Sequence, residues 1–328
     1  MIVKLGEVAR ECRNTWKESK EEVPVVGLEH LEPGEITLSA WDIDSENTFS
    51  KKFSAGQVLL GRRRVYLRKA VLAPMDGICS GDITVIEALP NKILPELLPF
   101  IIQNDAFFNY AMKGSAGSLS PRVKWEHLQD YEFALPSLSE QRVLADKLWA
   151  AYRLKESYKK LLKATDEMVK SQFIEMFKAE YPKSEWNKCL TITNGKKYNG
   201  EYQQSGTYPI CGSGGVIGYG EQMMCPKDTI ILGRKGNINS PIFMNADYWI
   251  VDTAFCLDAD KSKLNPLYFY YWCKLFDFTR YNKQGVLPSL TKNDLQKIEI
   301  AIPPMAEQEK FEAIYKQADK SKYFKQIA

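Results

Sequence analysis

Three consecutive arginines, Arg62, Arg63 and Arg64, follow a short apolar run that closes on a glycine, Gln57-Val58-Leu59-Leu60-Gly61. The arrangement returns as Thr229-Ile230-Ile231-Leu232-Gly233, followed by Arg234 and Lys235. Guanidinium forks and an ammonium group at the end of a strand suit phosphate oxygens or the acceptor edge of guanine. The glycine lets the backbone turn or approach a ligand closely. Net charge is only +3, yet the cations are unevenly spread. Residues 47–75 contain no Asp or Glu but hold Lys51, Lys52, Arg62, Arg63, Arg64, Arg68 and Lys69. Two further acid-free windows, 106–125 with Lys113, Arg122 and Lys124, and 278–293 with Arg280, Lys283 and Lys292, occupy corresponding places in the chain. Within them the small, polar, basic loops 113–122 and 280–289 are suited to tracking a phosphate backbone. Tyr198, Tyr202 and Tyr219 add stacking or hydrogen-bonding candidates, although each taken singly is more often an exposed-edge or core tyrosine.

Chemistry beyond binding finds little support. Gly212-Ser213-Gly214-Gly215-Val216-Ile217-Gly218 misses the G-x-G-x-x-G spacing at Ile217 and lacks the Lys-Ser/Thr ending of a P-loop, so it reads as a turn-rich loop between short strands where backbone comes near a partner. Asn265-Pro266-Leu267-Tyr268 departs at Leu267 from the Asn-Pro-Pro-Tyr/Phe sequence with which amino-methyltransferases hold a base amine, and no Phe-x-Gly-x-Gly loop precedes it. Asparagine as a helix cap with proline in the first turn explains it. No Pro-Asp dipeptide of the restriction-nuclease type occurs. Both histidines, His30 and His127, fall in the first half, which leaves any nucleophile of the second half without a base. Seven scattered cysteines with no C-x-x-C pair argue against zinc.

The elements that carry these residues are duplicated. Residues 121–141 return as 288–308, with Pro121, Leu128, Gln129, Glu132, Ala134, Pro136, Glu140 and Gln141 matched by Pro288, Leu295, Gln296, Glu299, Ala301, Pro303, Glu307 and Gln308. A repeat of this length marks a domain, not a solenoid unit. The strand 57–61, a second strand 83–86 and a helix from Pro95 through Ala111 are mirrored by the strands 229–233 and 253–257 and a helix from Pro266. From Leu138 to about Phe177 no glycine or proline intervenes; Ser137 and Glu140 form a capping box. Leu144, Leu148, Ala151, Leu154, Tyr158, Leu161 or Leu162, Thr165, Met168 or Val169, Phe173 and Met176 then recur near a 3.5-residue period, a coiled-coil seam. A second helical stretch runs from Glu307 to about Lys325. Antiparallel pairing of the two would bury both seams. The resulting fold class is α+β: two mixed α/β domains separated by long helices, with boundaries at 1–136, 137–179, 180–303 and 304–328.

At 328 residues, 45% hydrophobic and 26% charged, the chain is long enough for two domains with ordinary cores. The start MIVKLGEVARECR has no apolar signal region, and no apolar run approaches the roughly 18 residues of a membrane span, which gives the expectation of a reduced, cytoplasmic protein without a membrane.

Taken together, the duplicated Leu-Pro-x-x-x-Glu-Gln-like junction leading into a helix, the Gly233-Arg234-Lys235-Gly236 run and the stretch 209–215 are similar to the specificity subunit of type I restriction-modification enzymes, over nearly the whole chain. The resemblance implies two target-recognition domains, each reading one half of a split site in double-stranded DNA. It further implies helices that set the half-site separation and dock methyltransferase subunits, with restriction subunits joining the assembly. S-adenosylmethionine, ATP and Mg²⁺ would belong to those partners, and this chain would itself be no enzyme. The distal helix is about half as long as the central one, which leaves room for self-association. The competing reading is a coiled-coil scaffold whose globular ends bind proteins, and salt separates the two, because phosphate-driven binding weakens steeply as salt rises.

Overall fold

The computed structural model describes residues 1–43, 46–115, 120–282 and 288–320, with only the backbone of Lys320. The chain divides into two compact units, Met1–Lys159 and Lys160–Ala328.

The first unit runs β1 (Ile2–Lys4), α1 (Leu5–Val8), β2 (Ala9–Cys12), β3 (Val25–Val26), β4 (Lys51–Phe53), β5 (Val58–Gly61), β6 (Ala70–Leu72), β7 (Gly77–Cys79), β8 (Ile83–Ala88), α2 (Leu98–Ile102), α3 (Asp105–Lys113), α4 (Trp125–Leu128) and β9 (Glu132–Ala134), and then enters α5 (Leu138–Met176). Its main sheet is antiparallel, in the order β2-β8-β5-β6. The apolar run Val58–Gly61 is buried along its whole length, so it sits in the middle. A smaller sheet, β3-β7-β4, pairs β3 parallel to β7. The first and last strands close the unit, Ile2 opposite Ala134. Where the sequence predicts one helix from Pro95 through Ala111, the chain forms two. The break lies at Gln103 and Asn104: the Gln103 side-chain amide donates to the carbonyls of Glu35 and Ala70, and the Asn104 side chain caps α3 by accepting the Ala106 amide at 2.8 Å.

The second unit contains the rest of α5 and continues through β10 (Lys183–Glu185), β11 (Leu190–Asn194), β12 (Tyr208–Gly212), β13 (Gly215–Gly220), β14 (Thr229–Gly233), β15 (Ile242–Met244), β16 (Trp249–Ile250), β17 (Ala254–Ala259), α6 (Pro266–Leu275), α7 (Lys292–Leu295), β18 (Glu299–Ala301) and α8 (Met305–Lys320). Its main sheet, β11-β17-β14-β15, repeats the first in order and sense, and β10 pairs with β18 as β1 does with β9. The units diverge in the small sheet. Here β12 is central, parallel to β16 and joined to β13 by a hairpin. The glycine-rich stretch is that hairpin itself, turning at Ser213 and Gly214, with Gly215 at a φ of 105°.

The repeated glutamines explain themselves. Gln141 accepts the Leu94 amide at 2.9 Å and donates to the Pro136 carbonyl at 3.0 Å. Gln308 accepts the Asn265 amide at 2.8 Å and donates to the carbonyls of Pro303 at 2.7 Å and Lys263 at 3.0 Å. Each side chain ties the start of its helix to the segment that leads into the helical pair or helix of its unit, which is a structural reason for keeping Gln at both places.

α5 is 39 residues long, roughly 60 Å at 1.5 Å per residue. Its capping box forms as the sequence predicts: the Ser137 amide donates to Glu140 Oε2 at 2.9 Å and the Glu140 amide to Ser137 Oγ at 3.4 Å. In the first unit α5 is tied to two segments: Trp149 donates to the Glu96 carbonyl at 2.9 Å, and further along Tyr152 and Lys159 engage Glu35 while Lys155 reaches the Gly34 carbonyl. The predicted seam is only partly covered. Leu154, Tyr158 and Leu161 stand 51% to 57% exposed, whereas Val169 and Phe173 are buried. In the second unit α8 runs antiparallel to α5, with Phe311 at 4.9 Å from Phe173, ring centre to ring centre, and Glu307 bonded to the Tyr181 hydroxyl at 2.7 Å. The predicted continuation of this helix to Lys325 lies outside the described residues. No helix among the described residues is long and apolar enough to cross a membrane.

Candidate nucleic-acid interface

Each main sheet delivers its glycine and basic residues to the same frame. The Arg62 amide donates to the Asp82 carbonyl at 2.9 Å, and the Arg62 carbonyl accepts from Val123 at 3.0 Å. In the second unit the Arg234 amide donates to the Thr253 carbonyl at 2.8 Å, and the Arg234 carbonyl accepts from Leu290 at 2.9 Å. Two residues on, the Arg64 amide meets the Pro121 carbonyl at 2.8 Å and the Gly236 amide meets that of Pro288 at 2.9 Å. Arg63 bridges to Arg122 as Lys235 bridges to Ser289. The strand ends and the repeated segments are therefore one structure built twice. Arg64 and Gly236 share a left-handed backbone, with φ of 52° and 76°. Glycine adopts it freely and arginine does not. A Cβ on Gly233 would come within 1.9 Å of the Asn237 carbonyl oxygen, so close backbone approach fixes that residue type.

In the first unit the structure separates the three arginines. Arg63 donates to Ser120 Oγ at 3.1 and 3.2 Å and lies 3.5 Å from Asp82, while Arg122 holds the same carboxylate at 2.7 and 3.3 Å. The hydrogen bond from Arg122 keeps the Asp82 carboxyl below its ordinary range despite partial burial. Arg62 lines a different hollow of about 550 Å³ with Glu11, Arg13, Lys51, Lys124 and Trp125. Arg13 and Lys51 are neutralised there by Glu11, and Arg13 also by Glu126. Arg62 Nε is buried and meets no acceptor among the described residues. The Arg64 guanidinium is exposed. Lys69 spends its ammonium on the Leu28 carbonyl at 2.7 Å, Arg68 is held by Asp105 and Asn109, and Lys113 and Lys124 are exposed at the end of α3 and the start of α4.

The second unit is plainer. The Arg234 guanidinium lies 5.9 Å from the centre of the Phe255 ring, and Lys235 is exposed. Arg280 is paired with Asp277 at 3.6 Å, Lys292 opens α7, and Lys283 lies outside the described residues, as do 284–287 and 116–119 of the two basic loops. Tyr198 is a core residue: it is 5% exposed, packs on Trp249 and accepts the Glu221 amide through its hydroxyl. Tyr202 is exposed and Tyr219 half-buried.

Sequence reasoning missed Asp82, which holds Arg63 and Arg122, and the role of Ser120 as an acceptor for Arg63; a lone acid between two strands carries no signal until the fold brings it there. The groups suited to catalysis are spent on structure. His30 accepts the Gly27 amide at 2.9 Å, and His127 stacks on Tyr110 with ring centres 4.4 Å apart. Asn265 caps α6 by accepting the amides of Leu267 and Tyr268, as the sequence predicts. All seven cysteines are buried and free, and burial pushes the thiols of Cys12 and Cys211 up to about 11 and that of Cys79 up to about 12, far from thiolate at neutral pH. Among the described residues no group of three or more His, Cys, Asp or Glu is arranged to hold a metal ion.

Residues 186–326 match the family model described as the type I restriction modification DNA specificity domain. The S subunit of the type I restriction-modification system of M. genitalium superposes over 98% of this chain and 91% of its own, with a TM-score of 0.67 at 12% identity, a likeness of fold. Two further solved structures align with less similarity. One is from work on complex assembly and conformational transition of the type I R-M system (TM-score 0.49, 19% identity, 100% of this chain and 92% of that one). The other is the HsdS subunit of Thermoanaerobacter tengcongensis (TM-score 0.41, 20% identity, 98% and 90%). No curated protein matches the chain. Residues 186–326 are thus similar to a type I restriction-modification DNA specificity domain, and the chain shares the fold of an S subunit over nearly its whole length.

Proposed function

We propose that the two units read the two halves of a bipartite target in double-stranded DNA, 1–136 and 180–303 acting as target-recognition domains, 137–179 as the spacer and 304–328 as the distal helix. The observation that carries this reading is the twice-built frame, a buried strand ending in Gly61 or Gly233 whose basic residues are hydrogen-bonded to the repeated segment at Pro121 or Pro288. Identical framing with different side chains is what a reader of two different half-sites requires. Arg62, Arg64, Lys113 and Lys124 in the first unit, and Arg234, Lys235 and Lys292 in the second, contact phosphates or guanine edges. Arg63 and Arg122, locked on Asp82, present a fixed guanidinium pair; Lys69 and Arg280 contribute positive field; Lys283 belongs to the same basic loop as Arg280. α5 and α8 dock methyltransferase subunits, restriction subunits complete the assembly, and S-adenosylmethionine, ATP and Mg²⁺ reside in those partners.

The test is fluorescence anisotropy of the chain, assembled with its methyltransferase subunit, on duplex DNA over a salt series. Phosphate contacts give a log affinity that falls linearly with log salt. Affinity for a capture protein or for the empty partner that is flat in salt, with no DNA binding at low salt, contradicts the proposal.

A further inference from the structure

We infer that the turn Arg64–Arg68 is the base-contacting element of the first unit, with Tyr66 and Leu67 as specificity-determining side chains that lie against the bases of its half-site. The inference rests on the reading of the chain as a DNA-recognition subunit and names where the first unit reads. A short 3₁₀ helix, Val65–Leu67, is bracketed by two arginines in left-handed backbone, Arg64 at a φ of 52° and Arg68 at 54°. Strain of this kind persists where the surroundings over-determine it and gathers at binding elements. The surroundings here are explicit. The Arg64 amide is bonded to Pro121, Val65 is 1% exposed in the core, and the Arg68 guanidinium is pinned to Asp105 and Asn109 on α3. What this rigid mounting holds out is apolar: Tyr66 is 51% and Leu67 42% exposed. Beside them lies a hollow of about 240 Å³ lined by Leu28, Glu29, Arg63, Arg64, Leu67 and Lys69, three cations to one acid.

A large aromatic and an aliphatic side chain on a fixed turn, rimmed by cations, fit a polyanion with stacked apolar interior surfaces. Duplex DNA is that partner: wedges of this type enter a groove against base steps while arginines take the flanking phosphates. The second unit supplies the control. Its frame matches as far as Gly236, and there the chain differs in what it exposes: Ile238 is buried, Asn239 accepts the Phe278 amide, and the exposed residues Asn237, Asn239 and Ser240 are small and polar. The copies thus agree in scaffold and differ in the turn that leaves it, which is where readers of unlike half-sites must differ.

The experiment co-expresses the full chain with its methyltransferase subunit and maps methylated bases genome-wide for the wild type, for Tyr66→Ala/Leu67→Ala and for Arg64→Gly. The double variant is expected to relax or lose the bases of one half-site, with occupancy there down on the order of tenfold, and to leave the other half intact. Arg64→Gly, which suits the backbone already borne by Gly236, is expected to lower methylation of all target sequences alike. If the double variant melts early, Tyr66→Ala alone carries the test. A bipartite motif read unchanged by the variants overturns the assignment of the turn while sparing the function; a wild type with no bipartite motif overturns both.

Discussion

Replacing Gln308 by leucine should cost the second unit more than any surface change in the basic frame, and its size follows from the hydrogen bonds. The side chain is fully buried and satisfies three backbone groups, the Asn265 amide, the Pro303 carbonyl and the Lys263 carbonyl. Leucine keeps most of the volume but removes all three bonds. The first two partners are buried, and an unmet buried polar group costs about 1–3 kcal/mol; the third lies near water and recovers most of its loss. The expected destabilisation is about 3 kcal/mol, or a fall in Tm of roughly 10 °C for a unit of this size. Gln141→Leu breaks two bonds that are only partly buried, so about 1–2 kcal/mol is expected there. Urea and thermal melts followed by circular dichroism give both values, and hydrogen exchange at Asn265 localises the first. A loss below about 1 kcal/mol for Gln308→Leu, or a larger loss for Gln141→Leu than for Gln308→Leu, refutes the reasoning that the repeated glutamine is a buried clamp.

Gly233→Ala should destabilise the second unit severely, since its Cβ would meet the Asn237 carbonyl oxygen at 1.9 Å and backbone cannot yield as a flexible side chain does; a melting curve like the wild type contradicts the close approach. Arg62→Ala with Lys124→Ala should reduce the slope of log affinity against log salt by about 2 in the assembled complex, about 0.9 for each phosphate contact. An unchanged slope removes both residues from the interface. Asp82, whose folded carboxyl titrates below its ordinary 3.8 because of Arg122, contributes stability that is present above that value and lost as pH falls through the lower folded one. Asp82→Asn should therefore flatten the acid side of the stability profile below about pH 4, by at most about 1 kcal/mol because the three groups are partly exposed. A profile with the same acid limb as the wild type sinks the attribution.

The duplication, the central helix with its capping box, the buried strands and the Asn265 cap were all legible because each is a local pattern: a repeat, a Ser-x-x-Glu spacing, an apolar run, a cap before proline. The break between α2 and α3 was not, since Gln103 finds its acceptors on Glu35 and Ala70, far away in sequence. The seam of α5 shows the same limit. Period alone marks Leu154, Tyr158 and Leu161 as apolar positions, but which of them a neighbour covers depends on where α8 begins and lies. At the strand ends and loops that the sequence marks, the structure sends the three arginines to different surroundings, which adjacency in sequence does not announce. Alternation along an extended backbone sends Arg62 and Arg63 to different hollows, and only the fold brings Asp82 beneath Arg63 and Arg122. The turn at Tyr66 was invisible, because nothing in a run of five ordinary residues announces a left-handed backbone at both ends.

The central claim, two like units each reading its own half of a split DNA site, is tested most directly by sequencing methylated genomic DNA from cells that carry the full chain with its methyltransferase subunit, beside the Arg234→Ala/Lys235→Ala variant. The account predicts a motif of two short specified stretches separated by unspecified bases, with the variant degrading one stretch and sparing the other. An uninterrupted motif, or a variant that erodes both stretches equally, contradicts it.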